Sequence, residues 1–112
     1  GGYAQAMLVD PGKSLLFISG QIPVDAAGDV PPDFTAQCRL VWRNIAAQLA
    51  EADMDLTNLV TVTTFLSDRR YRDENGAIRR EILGDHAPAL TVIVCDIYDP
   101  QWLLEIEAVA AK

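Results

Sequence analysis

Glu105 and Glu107 stand two apart near the C-terminus, in the run Leu104-Glu105-Ile106-Glu107-Ala108. On a strand that spacing puts both carboxylates on one face and Leu104, Ile106 and Ala108 on the other, toward a core. Two like charges on one face repel, and partial burial raises a carboxyl pKa. Such a group can hold a water and pass protons. The competing reading is two charges on a wet or subunit-facing rim. Asn75 is the second candidate. It shares a helical stripe with Tyr71, Ile78 and Ile82, so its amide points where apolar groups point. A buried amide must be paired, with either a loop carbonyl or a ligand. Arg69, Arg70, Arg72, Arg79 and Arg80 make a third cluster, and Arg72 and Arg79 fall on one helix face. They read as a solvated face interleaved with Asp68, Asp73, Glu74 and Glu81 in preference to an anion or RNA patch.

Other residue types point away from chemistry. One histidine, His86, and two distant cysteines, Cys38 and Cys95, do not supply the clustered ligands of a zinc site, so no metal is expected. His86 precedes a loop proline and reads as a surface residue. Cys95 reads as core. Trp102 reads equally as core or as cover for an interface edge. Nine Lys+Arg against sixteen Asp+Glu give a net charge of −7, which argues against nucleic acid as a partner. No apolar run approaches the ~20 residues of a membrane helix, so no membrane association is expected. No leader-like segment is seen at the start, and two reduced thiols in a cytoplasmic setting are the expectation.

The positioning elements follow from periodicity. With 112 residues, half of them hydrophobic, residues 1–112 read as one domain with a real core. Residues 3–9 and 14–24 read as strands around an Asp10-Pro11-Gly12-Lys13 turn. Asp33 caps a helix whose Phe34, Cys38, Val41, Ile45 and Leu49 share one face. Leu59 to Leu66 alternates as a strand. Residues 70–83 form a second helix ended by Gly84. Ala89–Cys95 and Leu103–Val109 close the chain as strands. The order β-β-α-β-α-β-β implies an α+β fold, a mixed sheet with both helices on one face. Nothing is left in the chain to cover the other face, so self-association is expected.

Four strings carry a resemblance. They are Tyr3-Ala4-Gln5-Ala6; Phe17-Ile18-Ser19-Gly20-Gln21-Ile22-Pro23-Val24-Asp25; His86-Ala87-Pro88-Ala89-Leu90-Thr91; and Leu104-Glu105-Ile106-Glu107-Ala108. In content, order and spacing they resemble the RidA/YjgF family of reactive intermediate deaminases, also labelled endoribonuclease L-PSP. The resemblance spans residues 3 to 109. It implies a chorismate-mutase-like fold, a homotrimer, and small-molecule clefts between subunits. It also implies hydrolytic deamination of enamines and imines without a cofactor.

Carried over residue by residue, the resemblance makes Glu105 the catalytic, water-holding carboxylate. Tyr3, Ser19, Gly20 and Asn75 become substrate-binding positions. The substrate-clamping arginine falls on Leu90, and the reactive cysteine two positions on falls on Val92. Leucine offers a carboxylate no donor, and arginine is the residue that grips one bidentately. The expectation is therefore an imine or enamine lacking the usual carboxylate. The alternatives are a non-catalytic ligand-binding or chaperone-like module, and an endoribonuclease or translation inhibitor, which acidity and the single histidine disfavour. Arg39 and Arg43 on the first helix are the candidates to replace the absent cation.

Overall fold

The computed structural model describes residues 2–112. In chain order its elements are β1 Leu15–Gln21, α1 Phe34–Glu51, β2 Leu59–Leu66, α2 Arg72–Leu83, β3 Ala89–Val94 and β4 Leu104–Ala111. Short 3-10 turns at Leu56–Asn58 and Arg69–Tyr71 lead into β2 and α2. The Asp33 carboxylate accepts from the Ala36 amide at 2.8 Å, which satisfies one of the free donors at the start of α1. At the end of α2, Gly84 takes φ 57°, a left-handed value that favours glycine over any side chain.

The four strands lie in the order β1-β4-β2-β3. β4 runs antiparallel to both neighbours, and β2 and β3 run parallel. The parallel pair is bridged by α2, as a parallel connection requires. Alternation then sorts the side chains. Ile18, Val62, Thr64, Leu66, Leu104, Ile106, Ala108 and Ala110 are buried under the helices. Val41, Trp42, Ile45 and Leu49 of α1 fill the space above them, and Ile78 and Leu83 of α2 extend the same core. This is the expected α+β arrangement, with both helices on one face. The opposite face is open. It carries Leu15 and Phe17, the latter 73% exposed, together with Thr63, Phe65, Glu105 and Glu107.

One expected element does not form. Residues 3–9 are not a strand beside β1; the only pairing there is a single parallel bridge between Ala4 and Ala89, with the Ala4 amide donating to the Pro88 carbonyl at 2.9 Å. Ala4 thus sits at the β3 edge, whereas β1 lies at the far edge of the sheet. Residues 5–13 cross the end of the sheet between them and leave no register for a hairpin. No helix among the described residues is long and apolar enough to cross a membrane.

Candidate functional site

α2 does not seal against β3, and the gap is a cavity of about 650 Å³. Tyr3, Asn75 and Leu90 all line it, so three of the six expected site residues come together. Leu66, Leu90, Val92 and Val94 form an apolar wall. These side chains share one sheet face because Val62 pairs with Leu90 and Leu66 with Val94 across the parallel ladder. The facing helix supplies polar groups. Asn75 is only 3% exposed, and its Oδ1 has no hydrogen-bond partner. A buried acceptor left unpaired calls for a donor that the surrounding residues do not supply.

One arginine of α2, Arg79, corrects the sequence reading of a solvated face. Arg69, Arg72, Arg79 and Arg80 all line this cavity, against Asp73 as the one acid there. Arg69, Arg72 and Arg80 are exposed, as that reading expects, but Arg79 is only 7% exposed and its Nε has no partner. Burial, and then Arg80 beside it, pull its pKa below the ordinary arginine value, while Tyr3 opposes them. Arg39 does not reach the cavity: it pairs with Glu81 on the outer side of the helix pair. Arg43 is exposed on α1 and does not line the cavity either. A signal for Arg79 existed in the sequence, since it lies four residues after Asn75 and seven after Arg72.

The other half of the expected site lies across the sheet. β1 pairs with β4 in register as far as Ile18↔Ala108, then resumes at Gln21↔Ile106. The extra residue makes a bulge at Ser19-Gly20, a device that kinks a strand and re-aims its side chains. The Glu105 carboxyl occupies the space this opens. A methyl group added to Gly20 would collide with the Glu105 carboxylate, and even Cγ of Glu105 would stand only 3.0 Å away. Glu105 is half-buried. Desolvation first, and the charge of Glu107 second, raise its pKa above the ordinary glutamate value of 4.5. It lines a shallow cleft with Phe65, Cys95 and Tyr98, while Ser19 lines a neighbouring one with Glu107. Within one chain, Glu105, Ser19 and Gly20 are therefore separated by the sheet from Tyr3, Asn75 and Leu90.

The remaining candidates resolve simply. Cys95 is exposed rather than core, because it follows the edge strand β3 on the open face of the sheet, beside Phe65 and Glu105, with its amide still donating to the Leu66 carbonyl. Cys38 is buried, and burial pushes its thiol up to about 12, which removes it as a nucleophile. His86 is half-buried, with Nε2 2.8 Å from the Leu59 carbonyl oxygen, a contact that holds the α2–β3 loop to β2. Among the described residues no group of His, Cys, Asp and Glu is placed to hold a metal ion.

The Endoribonuclease L-PSP family matches residues 1–112, the whole chain. The chain belongs to this family. Family relatives include a RutC family protein of Pyrococcus horikoshii, 34% identical over 114 residues that cover 100% of this chain and 88% of the relative. A protein of Escherichia coli named as a reactive intermediate deaminase, TdcF, is 29% identical over 116 residues, covering 100% of this chain and 88% of its own. The solved structure of Escherichia coli TdcF with bound serine superposes with a TM-score of 0.83 at 30% identity, covering 100% of this chain and 89% of that one. An endoribonuclease-named structure from Thermotoga maritima gives 0.83 at 30% identity, covering 100% and 87%. The family's fold is thus this chain's fold, RidA/YjgF in kind.

Proposed function

We propose that this protein is a hydrolytic deaminase of small imines or enamines, with a site completed between copies of the chain in a homotrimer. The observation that carries the reading is Glu105: a half-buried carboxyl with a raised pKa, seated against a glycine that leaves room for it and nothing else. The relatives named as reactive intermediate deaminases support the reaction class, and the TdcF structure with bound serine supports a ligand of amino-acid size.

The chemistry needs one base and one acid. Glu105 takes a proton from water as its oxygen bonds to the imine carbon and the C=N electron pair moves to nitrogen. The same carboxyl returns the proton to that nitrogen; it then relays the carbinolamine O–H proton to nitrogen as the C–N bond breaks, which releases a carbonyl compound and ammonia. A raised pKa suits both steps, since it makes the carboxylate a stronger base than an ordinary glutamate and keeps the carboxylic acid available to higher pH. Assembly supplies the rest. A second copy lying on the open face would cover Phe17 and bring its α2–β3 cavity toward the Glu105 cleft, joining the two halves that one chain keeps apart. An endoribonuclease reading is weaker: the charge is −7, and the single histidine is committed to the Leu59 carbonyl.

The test is ammonia release from 2-iminopropanoate and from a carboxylate-free imine, each generated in situ. Catalysed hydrolysis of either that is abolished in Glu105→Gln is expected. Background rates on both substrates, or full activity without Glu105, would reject the reading.

A further inference from the structure

The cavity between α2 and β3 holds a cation that nothing in the fold accounts for. Among the described residues the one salt bridge is Arg39–Glu81, so no carboxylate neutralises Arg79, although Asp73 lines the same cavity. A guanidinium that is 7% exposed with a free Nε is an expensive group to keep in a fold. One turn earlier on the same helix face, Asn75 presents an unpaired acceptor. A free cationic donor and a free amide acceptor therefore face the same space. Opposite them stands the aliphatic wall of Leu66, Leu90, Val92 and Val94. A molecule that satisfied all of this would bring a negative oxygen pair for Arg79, an apolar body for the wall, and room for an N–H donor at Asn75.

We infer that Arg79 is the anion-binding residue of this protein, and that the α2–β3 cavity takes a small carboxylate with an apolar body. The arginine absent at position 90 is supplied from the helix facing it, so the cation has changed walls and β3 is left aliphatic. Arg72 and Arg80 at the mouth add positive potential that draws an anion inward. This goes beyond the deaminase reading and rests on it only in taking the cavity as half of the site. It also replaces the expectation of a carboxylate-free ligand drawn from Leu90 alone.

The experiment is calorimetric titration of the full chain with 3-phenylpropanoate, with its neutral amide, and with inorganic phosphate. The acid is expected to bind roughly ten- to a hundredfold tighter than the amide, the range a charge-assisted hydrogen bond supports. Arg79→Met is expected to erase that preference while leaving amide binding in place. Arg43→Gln, which removes a distant exposed charge, is expected to change neither. Should Arg79→Met fail to fold, Arg79→Lys gives the same reading, because a point charge loses the bidentate grip and the acid's advantage shrinks. Equal binding of acid and amide by the native chain overturns the inference. So does an undiminished preference in either Arg79 variant. Phosphate binding tighter than the acid would refute the apolar-bodied carboxylate. All arms read binding, not turnover. A chain that binds the acid but hydrolyses no imine would sink the deaminase reading and leave this one standing.

Discussion

The two faces of the sheet are built on opposite terms. On the helix-covered face, α2 stands off β3 and leaves a cavity with four arginines and one acid. On the open face, Glu105 and Glu107 lie among exposed apolar side chains such as Phe17, with nothing above them. The first region keeps a buried donor and a buried acceptor unpaired; the second keeps a carboxyl whose pKa is raised. Each is incomplete in a way the other could remedy. In the trimer proposed above one site is divided between the two faces, since symmetry would bring one copy's cavity to the next copy's open face.

The division can be broken at its reactive end first. Glu105→Gln keeps the shape of the open-face cleft and removes the base. Imine hydrolysis should fall by roughly two to four decades, the range for loss of a general acid–base group. Ligand binding in the α2–β3 cavity should persist, and calorimetry on the same variant reads that directly.

Phe17→Asp attacks the joining of the faces. Light scattering should show the native chain at three times its mass and the variant as a monomer, with activity lost although both half-sites are intact. A native chain that scatters as a monomer at micromolar concentration would end the idea that the halves meet.

Gly20→Ala tests how closely Glu105 is held. The added methyl meets the carboxylate, so either the side chain or the β1 bulge must move. Overpacking of this kind costs about 1–3 kcal/mol. Chemical denaturation should show that loss, with an activity decrease smaller than that of Glu105→Gln.

The smallest effect is on pH dependence. Glu105 titrates above 4.5, so kcat/KM should fall with acidification at an inflexion above that value. Glu107→Gln removes one cause of the shift and should move the inflexion down. The linkage sign follows. A carboxyl whose pKa is raised by folding favours the native state fully below the ordinary value, and that contribution is lost as pH rises through the folded value. Glu105→Gln should therefore show a flatter stability profile over that window in thermal melts at stepped pH.

Local pattern made much of this protein legible. Leu59–Leu66 alternates because one side of β2 packs under α1, and the strand occupies those residues. The stripe from Phe34 to Leu49 defined α1, and Gly84 its successor's end, because helix period and capping are written within a few residues. The facing of Glu105 away from Ile106 needed only the two-residue period of a strand. The motifs around Ser19-Gly20 and Leu90 named the family, which the match over the whole chain bears out.

Distance in the chain hid the rest. Residues 3–9 have strand-like composition, yet their fate depended on Pro88, more than eighty positions away, which takes the Ala4 amide at the far edge of the sheet. Cys95 looked like core by its neighbours, but β3 is an edge strand and Cys95 falls on the sheet face that no helix covers. Arg79 stands beside Arg80 and Glu81 in a charged stretch of the sequence, which gave no sign that it alone of the cluster would be buried over an aliphatic wall. The residue types by themselves determined the sheet's two faces and put Glu105 and Glu107 together on one of them; the resemblance to the family added the proposed role of Glu105 and marked Leu90 as the place of an arginine. Only the tertiary structure decided that α2 stands off β3, because that gap is set by the packing of whole elements rather than by any run of side chains. It is the gap that turns a helix-surface arginine into a buried, unpaired cation facing that leucine.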